Sequence, residues 1–176
     1  MIAIVGFLVA VSAVSAVQKA LDSDAEWTME RRLKGSTRTL VSSGTVECRR
    51  NRGIIWRVRE PFESSVEMTT NAMIFTDEDG RRVKPLAELP HYEDFRLATE
   101  AFAAGNTNAF DGALTLEEEN FSDGGWKVRF TPTVAAMRQL VNSVEVMGAA
   151  LPTNAVLDCG DGGVSVIRFW EKGSVR

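Results

Sequence analysis

The sequence predicts an α+β fold: a single curved antiparallel β-sheet of about ten strands, with a few short helices. Three observations predict it. Apolar residues recur at every second position through most of the chain, both before residue 85 and after residue 112. One stretch of helical spacing lies between those halves, and the connections within each half are short and rich in Gly, Asn and Asp. An order of strands, helices, then strands lacks the βαβ alternation of a nucleotide-binding fold.

The elements follow in chain order. Residues 17–25 (VQKALDSDA) have the spacing of a short helix, with Ala20, Leu21 and Ala25 on one side. In EWTMERRL the period changes, and Trp27, Met29 and Leu33 share one face with Arg31 as the interruption, which predicts a first strand. KGSTRTLVSSG holds a turn leading to Gly44. In GTVECRR, Val46 and Cys48 oppose Thr45, Glu47 and Arg49; in IIWRVRE, Ile54, Trp56 and Val58 oppose Ile55, Arg57 and Arg59. SSVEMTT then offers Val66 and Met68, and AMIFTD offers Met73 and Phe75, with Asn71 as the turn between them and DEDG closing a hairpin. Successive strands on short turns make a meander with one apolar and one polar face.

From Pro85 to about Ala104 the period becomes helical, with Phe95, Ala98 and Phe102 on one stripe and Leu97 and Ala101 beside it. Pro90 divides a short first turn from the main helix, and Gly105 is its stop. Strands resume in ALTLEEE and WKVRF, joined through Gly124-Gly125. TPTVAAMRQL winds a helical turn into VNSVEVMG, and NAVLDCG and VSVIRFWE form a last hairpin around Asp161-Gly162-Gly163.

A chain of 176 residues, 44% hydrophobic and 25% charged, suits one globular domain. A net charge of -4 from 20 basic and 24 acidic residues disfavours nucleic acid as the main partner, since phosphate binding needs a concentrated basic surface. Residues 1–16 (MIAIVGFLVAVSAVSA) are uncharged and almost wholly apolar, and Val14 and Ala16 have the spacing of a signal-peptidase site. Two readings stand for them: a secretory signal peptide, implying export, or an apolar N-terminal helix. No second apolar run of spanning length follows. On this reading residues 17–176 form the single mature domain. Cys48 and Cys159 make no disulfide framework; they either form one bridge in an oxidising compartment or remain free thiols, one of them buried.

Motifs for catalysis are weak, and neither enzyme activity, metal nor cofactor is expected. Asp77, Glu78 and Asp79 before Gly80 lack the spacing of a calcium loop and read as a polar hairpin tip. His91, the single histidine, stands beside Tyr92, Glu93 and Asp94 with no nucleophile motif near, as a cap or surface residue does. Glu117, Glu118 and Glu119 read as a solvated strand end, and Gly160 to Gly163 lack the Lys-Ser/Thr of a phosphate loop.

Gly44, Arg50, Trp56 and Pro61 stand in a pattern G-x5-R-x5-W-x4-P, followed by ESSVEMTTNAMIF. This resembles the signature of the LolA family of periplasmic carriers for outer-membrane lipoproteins. GWKVRFTPTVAAMRQLVNSVEVMG and the terminal GDGGVSVIRF are similar to the second half of that family, so the resemblance touches most of residues 26–170. Asn51 stands where the family has proline, Ile54 where it has phenylalanine, Thr69-Thr70-Asn71 where it has an Asp-Gly-Lys turn, and Ile74 and Thr76 where it has tryptophan and tyrosine. The resemblance implies an unclosed half-barrel whose apolar concave face is covered by a lid of short helices. It also implies periplasmic localisation and lipid or lipoprotein acyl chains as the cargo, taken from an inner-membrane donor toward an outer-membrane acceptor through transient contacts with membrane proteins. Its motif arginine bonds the lid when no ligand is present, and Arg50 is the matching residue here.

On these grounds the ligand-facing candidates are Ile54, Trp56, Val66, Met68, Met73, Phe75, Phe130 and Val146, with Phe95 and Phe102 on the lid. Methionine is flexible and suits an adaptable acyl-chain surface. The same residues equally suit ordinary core packing beneath helices. Arg50 likewise has two readings: an inward donor to lid carbonyls, on the Val46 and Cys48 side, or one of a solvated basic trio with Arg49 and Arg52. A carrier leads; a lipid-sensing or regulatory module, or an assembly protein docking a partner chain on the same sheet face, are the alternatives.

Overall fold

The computed structural model describes residues 24–49, 53–69, 71–88, 114–121, 123–133, 138–139, 141–149 and 152–173. They form an 11-stranded sheet. The strands of the first half are β1 (Asp24–Arg32), β2 (Thr39–Arg49), β3 (Gly53–Glu60), β4 (Ser64–Met68), β5 (Ala72–Asp77) and β6 (Gly80–Pro85). Those of the second half are β7 (Leu114–Asn120), β8 (Trp126–Pro132), β9 (Val141–Gly148), β10 (Pro152–Cys159) and β11 (Val164–Glu171). The spatial order is β6-β5-β4-β3-β2-β1-β11-β10-β9-β8-β7, so two meanders are joined where β1 meets β11. Every pairing is antiparallel. β6 and β7 end the order as edges, and the sheet is unclosed.

Ten of the eleven strands stand where alternation predicts them. The addition is β6, Gly-Arg-Arg-Val-Lys-Pro, which is exposed at every position and therefore has no apolar face to alternate. Its charges suit an edge, because they discourage pairing with another chain. Arg82 is ion-paired with Asp77 across the β5–β6 turn, where Asp79 N–H donates to Asp77 Oδ1 at 3.1 Å. The acidic run at residues 77–79 is thus the hairpin tip expected of it.

Two boundaries differ from expectation. Asp24 and Ala25 belong to β1 and pair with Glu47 and Val46, so they do not end a helix. LVSSG is strand as well: the turn is confined to residues 33–38, and β2 starts at Thr39 because Leu40, Ser42 and Gly44 continue the alternation of Val46. Gly35 takes φ 72 in that turn, and Ser36 N–H bonds Leu33 O at 3.1 Å.

Described helical structure is limited to the 3-10 turn Leu86–Glu88 and the backbone at Arg138. The turn matches the short first turn predicted before Pro90. The main helix with Phe95 and Phe102, the N-terminal segment, His91 and Arg50 lie outside the described residues. Arg138 donates from Nε to Pro132 O at 3.1 Å and from Nη2 to Thr133 O at 2.6 Å, tying the β8–β9 connection to the end of β8.

Candidate ligand-binding face

Directly paired residues point to the same side of a sheet, so register assigns faces without reference to burial. Val46 pairs with Trp56, Trp56 with Val66, and Val66 with Phe75. Ile54 pairs with Met68, and Met68 with Met73. Across the seam, Trp27 pairs with Phe169 and Met29 with Ile167; Ile167 pairs with Ala155, Ala155 with Val146, Val146 with Val128, and Val144 with Phe130. Gly44 sits opposite Trp27 and Val58, which links β1 to β3. Ile54, Trp56, Val66, Met68, Met73, Phe75, Phe130 and Val146 therefore all share one face of one sheet.

That face is the core. Phe130 and Val146 are 1% exposed, Ile54, Trp56 and Met73 4%, and Val66 8%. Phe75 is half-buried, and for Met68 the strand position is what the structure describes. The same face carries buried residues that the candidate set omitted: Trp27, Val128, Val144, Ala155, Leu157, Cys159, Ile167 and Phe169. Alternation in WKVRF and VSVIRF already held the signal for Val128, Ile167 and Phe169. What it could not give is the pairing of β1 with β11, which brings Trp27 and Phe169 to the centre.

At that centre Trp27 stacks on Trp56 with ring centroids 4.5 Å apart and planes at 28°, and Phe169 meets Trp56 edge-on at 6.3 Å. The stack crosses β2 at Gly44, where a Cβ would lie 1.8 Å from Arg57 O and 2.9 Å from Trp27 Cζ2. Gly44 and Trp56 of the sequence pattern are thus one packing unit: the glycine leaves room for one indole to reach the other.

Polar atoms punctuate this apolar face. Trp27 Nε1, Arg31 Nε and Ser42 Oγ are buried and have no hydrogen-bond partner among the described residues. Met29 pairs with Ser42, and Trp27 and Arg31 flank Met29 on the same face of β1. Arg31 Nη2 donates to Asp161 Oδ2 at 2.6 Å from the β10–β11 turn. There the Gly163 N–H first, and the Arg31 guanidinium after it, hold the Asp161 carboxyl below its ordinary range. Cys159 is a buried free thiol beside Ser165 Oγ (3.9 Å), and burial pushes its pKa up. Of the two cysteine readings, the structure has the free, buried one for Cys159; the Cys48 side chain lies outside the described residues.

The opposite face is charged. Arg57 is ion-paired with Glu47, Arg59 with Glu26 at 3.5 Å, and Arg168 with Glu30 at 2.6 Å, while Trp170 Nε1 donates to Glu26 Oε2 at 2.9 Å. An open groove of about 1150 Å³ lies here between Thr45, Arg57, Ser65 and the 61–64 turn. Its lining mixes the cations Arg57, Arg59 and Lys172 with a larger number of carboxylates, Glu47, Glu63 and Asp77 to Asp79 among them, so it is no basic anion site. Glu119 is ion-paired at 2.9 Å with Lys127, its direct cross-strand partner, so this carboxylate of the acidic run is half of a cross-strand pair. No group of three or more metal-ligating side chains occurs among the described residues.

No family profile and no curated protein sequence matches the chain. Solved structures do. The chain is similar to a LolA superfamily protein from Nitrosomonas europaea, with 11% identity and a TM-score of 0.47 over 98% of this chain and 93% of that one. An outer membrane lipoprotein-sorting protein domain from Vibrio parahaemolyticus gives 11% identity and a TM-score of 0.38 over 88% and 87%. The MucA/MucB complex structure from Pseudomonas aeruginosa gives 12% identity and a TM-score of 0.43, over 93% of this chain but 54% of that one. The chain thus has LolA superfamily proteins among its structural neighbours, at low sequence identity.

Proposed function

We propose that the protein is a non-enzymatic periplasmic carrier whose apolar sheet face receives lipid acyl chains, within one domain that follows an N-terminal export signal. The observation that carries this reading is the gathering of Ile54, Trp56, Val66, Met68, Met73, Phe75, Phe130 and Val146 on one face of an unclosed sheet. An open sheet of this breadth can exchange a covering segment for a ligand without breaking a ladder of strand hydrogen bonds. Acyl burial there supplies on the order of 25 cal/mol per Å². Trp27 Nε1, Arg31 Nε and Ser42 Oγ suit the ester or carboxylate oxygens at the head of such a ligand, because an unpaired buried polar group is costly until it is bonded.

In this reading Phe95 and Phe102 belong to the segment that the ligand displaces, and Arg50 bonds that segment in the empty state. Delivery requires modest affinity and two states of similar free energy, so that an acceptor with a better site takes the cargo. Delipidated protein should bind a fluorescent fatty-acyl probe saturably. Phe75→Ala should weaken binding by about tenfold, the effect of losing roughly 1.4 kcal/mol of apolar contact, and Arg50→Leu should change the release rate. Absence of saturable binding would sink the proposal. Lipid retained by the protein when purified from its own cell envelope, read by native mass spectrometry, would identify the cargo.

A further inference from the structure

We propose that the tip of the β1–β2 hairpin docks the protein on an anionic phospholipid surface, whatever the apolar face holds. Residues 31–41 read RRLKGSTRTLV: Arg31, Arg32, Lys34 and Arg38 with no acidic residue, in a chain whose net charge is -4. Arg31 is taken up by Asp161, whereas no ion pair engages Arg32, Lys34 or Arg38 among the described residues. The aliphatic side chains within and just after this basic run are exposed: Leu33 39%, Leu40 54% and Val41 60%, with Val164 at 41% on the neighbouring strand.

Register puts them all around the ribbon. Leu40 pairs with Arg31 on the apolar-core face, Val41 with Glu30 on the charged face, and Val164 with Arg32. An apolar surface on both sides of a ribbon end does not fit one flat protein partner; it fits a medium that surrounds the tip. Long basic side chains lie along such a medium and keep their charge at its phosphate level. The tip is also held in shape. Ser36 N–H bonds Leu33 O at 3.1 Å, Arg38 N–H bonds Ser36 Oγ at 3.0 Å, and the Lys34 stem lies against Gly162 of the β10–β11 turn. Elsewhere the surplus of acidic residues repels an anionic bilayer, so the field of the whole molecule presents this end.

Co-sedimentation of the full chain with phosphatidylcholine vesicles containing about one third phosphatidylglycerol tests the proposal. Binding should be saturable, weaken with salt and be absent on pure phosphatidylcholine. Reversing Arg32, Lys34 and Arg38 to Glu should lower partitioning by more than about 100-fold, since losing each cation near the surface already counts for roughly a fivefold change before the added repulsion of the carboxylates. Leu40→Asn with Val41→Asn should lower it independently, and amide exchange over residues 33–41 should slow when anionic vesicles are added. These positions are exposed, so the variants should keep the wild-type urea midpoint; if the triple variant does not, Arg38→Gln alone should still give the fivefold loss. Equal binding to neutral vesicles, no binding, undiminished binding by the hairpin variants, or an equal loss on reversing Arg81 and Lys84 of β6 overturns the proposal.

Discussion

A Cβ at position 44 would lie 2.8 Å from the Arg57 carbonyl carbon as well as 1.8 Å from its oxygen, and backbone cannot give way as a flexible side chain can. Gly44→Ala should therefore cost about 3 kcal/mol of stability by urea denaturation, at the upper end of overpacking, with loss of the near-ultraviolet signal of the Trp27–Trp56 stack. Asp161 makes a different prediction. Its folded pKa lies below the ordinary 3.8, so its stabilising effect is complete above that value and fades as pH falls through the lowered one. Asp161→Asn should lower the urea midpoint at neutral pH, and the gap from wild type should close in acid, below the ordinary carboxylate value. A gap that persists there would mean that geometry, not charge, ties this turn to Arg31. Neither effect was legible in the sequence. Gly44 is visible as a motif position and Asp161 as a turn residue, but the close approach of Arg57 sits at a register shift between Ser43 and Gly44, and Arg31 reaches Asp161 only through the β1–β11 seam, neither of which alternation reveals.

At the scale of elements, two-residue alternation found the strands that bury one face and missed the one that buries neither. β10 reads i-e-i-B-i-B-e-B in burial, and its sequence PTNAVLDC alternates accordingly. β6 is exposed throughout, so its sequence carries only charge and turn signals. The early start of β2 was hidden for a related reason. Thr39, Leu40 and Val41 lie where the ribbon leaves the body of the sheet and both faces are exposed. The charges of β6 should matter as negative determinants. Replacing Arg81, Arg82 and Lys84 with Val raises strand propensity on an unpaired edge, and should turn a dispersed protein into one that scatters light at the same concentration. If solubility is unchanged, something outside the described residues covers that edge.

Over the whole molecule, the candidate face was legible because one property, side-chain direction, is fixed by local alternation. Its centre was not, because the seam between the meanders joins residues far apart in sequence. Trp27 of β1 and Phe169 of β11 are direct partners, and both meet Trp56 or its ring neighbour. Nothing within either half announces that contact. The seam makes the two meanders one cooperative unit: β1 pairs with β2 on one side and β11 on the other, and the aromatic cluster spans β1, β3 and β11. Phe169→Ala removes a ring that is 8% exposed and should cost about 3–5 kcal/mol. The loss should be shared by both halves. Urea transitions followed by the near-ultraviolet signal of the Trp27–Trp56 stack and by amide exchange in β9 and β10 should move together in the variant. Such non-local pairing also has an entropic cost before its contacts form, so the same substitution should slow refolding if the seam forms in the transition state and chiefly speed unfolding if it forms later. Transitions that separate, with β9 and β10 retaining wild-type protection, would mean that each meander is stable alone and that the seam only docks them.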